Sequence, residues 1–173
     1  MKSLRYLAVL PLMAAASQAL TIDVQVGANS PSGYETNSLA GIGIGSQLSD
    51  NFHLGLNVTS KSLTNSFTTT DIKVVAATVD LTYELNGAGG IHPFIGVGIG
   101  NAWLSGNTDG DKTAIVINSF IGMRFTLSEV TDVLLMARNS SMTNVTTYPT
   151  DGGALAKQNI SSWEYVAGLR FKF

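Results

Sequence analysis

Histidines, serines and carboxylates are the side chains through which this chain could do chemistry, and their spacing argues against most of it. The two histidines, His53 and His92, have no ligand partner at i+2 or i+4, whereas a zinc site needs three or four convergent donors. No metal and no cofactor are expected. Ser140 and Ser141 have no histidine near them in sequence, and a serine without a general base is a weak nucleophile. Catalysis would require the fold to bring a histidine to them. The runs Gly41-Ile42-Gly43-Ile44-Gly45 and Gly96-Val97-Gly98-Ile99-Gly100 lack the G-x-G-x-x-G spacing ahead of a helix that cradles phosphates. They read as strands with small residues along one face, and the chain as a protein that is not an enzyme.

Periodicity places the remaining ionisable groups. Ile22, Val24, Val26 and Ala28 alternate with Asp23, Gln25 and Gly27, and the same period of two recurs at 41–45, 52–59, 73–84, 93–104, 113–125, 133–138 and 165–173. Eight such segments predict an all-β fold, an eight-stranded antiparallel transmembrane β-barrel closed so that no edge remains. One phase is apolar and is expected to carry no charge in any segment, since a Lys or Arg at the bilayer midplane costs about 2–4 kcal/mol. The other phase collects Asp23, Asp80, Glu84 and Glu164 with Arg124, Arg138, Arg170 and Lys172. These are expected to pair inside the barrel, because an isolated buried charge is costly. A barrel of this size has an interior that side chains fill, so a plugged lumen is predicted in preference to an ion path. The start of the fourth segment, apolar on both faces, leaves its register open.

Connections alternate in length. Short turns are expected near Ser49-Asp50, Asn86-Gly87 and 128–131, and longer polar links near 29–38, 60–71, 105–112 and 140–161. The short turns and both termini would face the periplasm and the four links the exterior. The last link, with Tyr148-Pro149 and Asp151-Gly152-Gly153 turn signals, is the first candidate for a ligand contact. Tyr83, Trp103, Phe125 and Trp163 fall near strand ends, where interfacial girdles form.

Composition agrees. The chain has 173 residues, 13% of them charged, a net charge of −2 and no cysteine. It has no basic footprint for nucleic acid and no disulfide framework. No apolar run beyond the N-terminus approaches the roughly 18 residues of a spanning helix. Residues 1–19 place Lys2 and Arg5 before an apolar stretch and end in Ser17-Gln18-Ala19, the pattern of a secretory signal peptide cleaved between Ala19 and Leu20. The mature domain is then 20–173.

The C-terminal segment keeps Tyr165, Ala167, Leu169, Phe171 and the terminal Phe173 on one face and looks like the assembly signal of outer-membrane barrels. With the leader, the strand Pro93–Gly100 and the alternation, the mature chain resembles the small outer-membrane β-barrels of the OmpA-transmembrane, OmpX and Ail kind. The resemblance implies residence in the outer membrane of a Gram-negative bacterium. It also implies contact with lipid and lipopolysaccharide, handling by the barrel assembly machinery, and a non-enzymatic role of the surface loops in adhesion or envelope integrity. The alternatives it leaves open are a lipid A-modifying enzyme and a small channel.

Overall fold

The computed structural model describes residues 20–65, 70–106, 113–147 and 156–173; the leader and its cleavage site lie outside them. Eight strands form one closed antiparallel barrel, each paired with its neighbours in sequence and β1 with β8. They are β1 (Leu20–Pro31), β2 (Asn37–Gln47), β3 (Phe52–Asn65), β4 (Thr70–Glu84), β5 (Ile91–Gly106), β6 (Thr113–Thr126), β7 (Thr131–Thr147) and β8 (Ala156–Lys172). The register leads from Leu20 through Ser46, Leu54, Leu81, Val97, Ser119, Asn139 and Trp163 back onto β1 at Ser30, ten residues above its start. This stagger tilts the strands, as closure of a sheet requires.

Sidedness follows the expected parity. Val97 and Ile99 are 59% and 60% exposed on the outer face, while Asp80, on the opposite face of β4, is 3% exposed. Tyr83, its ring centroid 5.0 Å from that of Phe52 and tilted 53° to it, and Phe125 stand toward the short-turn end; Trp103 and Trp163 stand toward the other. The outer face is not free of charge, however. Lys73 shares the parity of Val75 and is exposed, and it lies where β4 has already risen past the apolar belt.

The glycine runs seat large inward groups. A Cβ on Gly96 would fall 2.2 Å from the Phe120 ring, and one on Gly122 2.4 Å from the Phe94 ring. The two phenylalanines each lie over the glycine opposite on the neighbouring strand. Asp80 lies over Gly98 in the same way, and Asn57 over Gly43. In the turn between β4 and β5, Gly89 and Gly90 take φ of 64° and 79°, a region that residues with a Cβ rarely enter.

The links are shorter than expected. Residues 29–31, 37–38, 60–65, 70–71, 105–106, 140–147 and 156–161 belong to strands. What connects the strands is 32–36 together with 66–69, 107–112 and 148–155, and these last three, with both turn signals of the final link, lie outside the described residues. The reason is a change of solvent along each strand. Near the long-connection end the outer face becomes polar (Ser30, Ser38, Ser60, Ser105, Thr113, Ser161) while the inner face becomes apolar (Leu63, Ile72, Val74, Leu104, Val116, Ile160). The alternation reverses sign and reads as a loop. The same reversal resolves the start of β4: Ile72 and Val74 point in, Lys73 and Val75 out. On β7 a bulge between Met142 and Val145 turns both inward, the extra residue of a bulge being what shifts the phase.

Candidate functional site

The lumen is where the chain concentrates its ionisable groups, and it is built in layers. At the short-turn end Arg124 from β6 donates to both carboxylate oxygens of Glu84 on β4, at 2.7 and 2.6 Å, and to Asp132 on β7 at 3.0 Å. Lys172 on β8 reaches the other oxygen of Asp132 at 2.9 Å. Arg170 grips Asp23 on β1 through two bonds of 2.8 Å each, across the seam where the first and last strands meet. Bidentate guanidinium–carboxylate geometry adds orientation to charge. His53 shares a 2.9 Å hydrogen bond with Thr21 here. All of these side chains but Asp23 line a cavity of about 250 Å³ at the mouth.

Above it Phe94, Phe120 and Leu134 narrow the lumen, with Met136 packed against them and the Arg138 guanidinium 5.9 Å over the Phe120 ring. A directed relay of side chains crosses this level: Arg138 donates to Gln25 Oε1 (3.3 Å), Gln25 Nε2 to Asn57 Oδ1 (3.4 Å) and Asn57 Nδ2 to Asp80 (2.9 Å). Every donor points from the cation toward the anion. Asp80 therefore faces a charge complement delivered through amides, not an ion-pair partner, which corrects the expectation that all the lumen charges pair directly. Its second oxygen and Arg138 Nε have no hydrogen-bond partner among the described residues, and both side chains border a void of about 30 Å³, room for about one water.

Higher again, Glu164 accepts from Lys61 and, at 3.4 Å, from Arg138, and Lys61 also donates to Ser162 at 3.3 Å. All three charges are at least 95% buried. Above this layer lies a septum of apolar side chains from β3 to β8, Leu63, Ile72, Val74, Leu104, Val116, Met142 and Ile160 among them, each at most 3% exposed. Tyr34 from the link between β1 and β2 packs onto it. The lumen is thus a vestibule open at the short-turn end and closed by a dry layer at the other.

The arrangement brings together most of the groups singled out from the sequence but does not bring a histidine to the serines. His53 sits at the mouth and His92 beside the neighbouring turn, opposite Arg124. Ser140 and Ser141 lie high on β7, opposite Ser162 and Ser161. Among the described residues no three His, Asp or Glu side chains are grouped to hold a metal ion. Two members of the charge network escape sequence reasoning. Lys61 sits in the serine-rich stretch Thr59-Ser60-Lys61-Ser62 that reads as a loop, and Asp132 adjoins the turn before β7. Parity was the usable signal: Lys61 continues the phase of His53 and Asn57, and Asp132 that of Leu134 and Arg138. Tyr165 midway along β8, and Leu169, Phe171 and Phe173 toward the short-turn rim, stand on the outer face, and the Phe173 amide donates to the Leu20 carbonyl at 2.9 Å.

The architecture has counterparts among solved structures. Neisserial surface protein A matches over 91% of this chain and 100% of its own, at 16% identity and a TM-score of 0.72. The fold is that of the small outer-membrane β-barrels. The N-terminal barrel domain of Pseudomonas aeruginosa OprF matches over 90% of this chain and 98% of its own (15% identity, TM-score 0.58). The outer-membrane enzyme PagL matches over 84% and 97% (16% identity, TM-score 0.57). No protein-family model matches the sequence, and no curated protein does. A surface protein and an enzyme thus share one scaffold, and function rests with the side chains set on it.

Proposed function

We propose that this chain is a non-enzymatic, non-conducting barrel of a Gram-negative outer membrane, exported with loss of residues 1–19, that holds surface-exposed strand ends and their connections rigidly for adhesion or for envelope integrity. The observation that carries this reading is the reversal of polarity along the strands. The apolar outer belt matches a membrane, and beyond it the strands continue with a polar exterior and a dry core, as a water-soluble barrel does. A projecting, closed stem of this kind presents its tips without bending. The septum supports a mount over a pore, because an ion crossing it would shed its hydration against apolar walls. The distance of both histidines from the upper serines supports a non-enzymatic reading over a lipid A-modifying hydrolase.

The test compares binding of whole cells to host and matrix surfaces for a deletion strain, the restored strain, and a strain whose β7–β8 hairpin is shortened above Asn139. Loss of binding on shortening, with the barrel still shifting on a gel between unboiled and boiled samples, is expected of a surface-contact role. Equal binding by all three strains refutes adhesion and leaves envelope integrity, read as increased detergent sensitivity of the deletion strain.

A further inference from the structure

The connection from β4 to β5 contains Asn86-Gly87, the one Asn-Gly step in the sequence. Leu85, Asn86 and Gly87 are exposed to solvent and lie outside any strand. Among the described residues nothing accepts a hydrogen bond from the Gly87 amide. That amide nitrogen is a nucleophile tethered beside the side-chain carbonyl of Asn86, because bonding of Gly87 N to Asn86 Cγ closes a five-membered ring. Glycine leaves the approach unobstructed, having no Cβ, and its backbone adopts conformations that other residues resist.

Asn51, in the turn between β2 and β3, prepares the electrophile. Its backbone carbonyl accepts from the Glu84 amide at 2.7 Å and its side-chain amide donates to the Glu84 carbonyl at 2.9 Å, so Asn51 is clamped against the end of β4. From that position Asn51 Nδ2 also donates to Asn86 Oδ1 at 3.5 Å. Negative charge gathers on Oδ1 when Cγ becomes tetrahedral, and a donor already held there strengthens as the charge develops.

We propose that Asn86 and Gly87 form a self-modifying site, at which the side-chain amide is exchanged for a carboxylate without enzyme or cofactor. Gly87 N bonds to Asn86 Cγ, the Cγ–Nδ2 bond breaks, and ammonia departs with the proton given up by Gly87. Water then opens the cyclic imide. Rupture between the nitrogen and Cγ yields aspartate, and rupture between the nitrogen and the main-chain carbonyl carbon yields isoaspartate. Asn29, Asn118 and Asn139, each followed by serine, are the contrast. They lie within β1, β6 and β7, where ladder pairing holds the backbone extended and opposes ring closure. The new carboxylate stands two residues from Glu84 and beside Asn51, both of which line the vestibule mouth.

The mature barrel, folded in detergent and verified by its gel shift on boiling, is held in mildly alkaline buffer and sampled over days by peptide mapping. Mass spectrometry reads the amide-to-acid mass gain at each asparagine, and labelling by an isoaspartyl methyltransferase reports the isomer. Conversion at Asn86 ahead of Asn118 and Asn139 is expected. Asn86→Gln, whose longer side chain closes its ring less readily, is expected to lose the isoaspartyl signal. Asn51→Ala is expected to slow conversion about three-fold in the folded barrel, the effect of one neutral hydrogen bond, and to leave the rate unchanged in urea, where Asn51 is no longer held to Asn86. No gain at Asn86, or equal gain at Asn86, Asn118 and Asn139 in the folded barrel, overturns the site. An unchanged rate in folded Asn51→Ala overturns the role given to Asn51.

Discussion

Glu164 is the side chain on which most of the buried charge converges. It answers both Lys61 and Arg138, so Glu164→Gln leaves two cations without their counter-charge, and removing one partner of a buried pair costs about 3–5 kcal/mol. Urea unfolding in lipid vesicles should register that loss. Replacing Lys61 by Met alongside it should recover part, because fewer buried cations then go unanswered. Backbone crowding sets a second limit at this scale. A Cβ at Gly100 would fall 1.9 Å from the Ala77 carbonyl oxygen, so Gly100→Ala should destabilise by about 1–3 kcal/mol as an overpacking change, measured in the same titration. That the acids and bases face inward was readable from parity alone. That Asp80 is reached through Gln25 and Asn57 was not, since the relay joins β1, β3, β4 and β7 and depends on a register no single strand encodes.

Each strand crosses two environments, and the position of the crossover is what the alternation hides. On β5 Ile95, Val97 and Ile99 face lipid, Trp103 marks the margin, and Ser105 lies beyond it. Val97→Arg should therefore cost about 2–4 kcal/mol and Ser105→Arg about 0–1 kcal/mol, following the depth dependence of cations on a barrel's lipid face. Equal costs at the two positions would place the margin elsewhere. All eight strands were legible where one face meets lipid, because there the two phases differ most. Their upper thirds were not. A serine-rich outer face above a membrane carries the same residues as a loop, and only pairing across the sheet, as between Ser62 and Lys73 or Ser141 and Ser161, distinguishes them.

As a whole the molecule is a tilted, closed wall around an interior that changes from a charged vestibule to a dry septum. Net charge has little to say about this, because the internal acids and bases balance one another and leave the sum to the residues outside the lumen. A septum of Leu, Ile, Val and Met predicts no discrete conductance in planar bilayers; steady single-channel steps from the purified barrel would contradict the sealed lumen. The absence of cysteine makes each introduced thiol unique, and that permits the most direct test of the account. Ser105→Cys, Val97→Cys and Ser128→Cys are labelled in intact cells with a membrane-impermeant thiol reagent. The account predicts labelling at 105 alone, with 128 becoming reactive once the outer membrane is permeabilised and 97 remaining silent throughout. Labelling at 128 but not 105 in intact cells would invert the barrel, and labelling at 97 would remove it from the membrane.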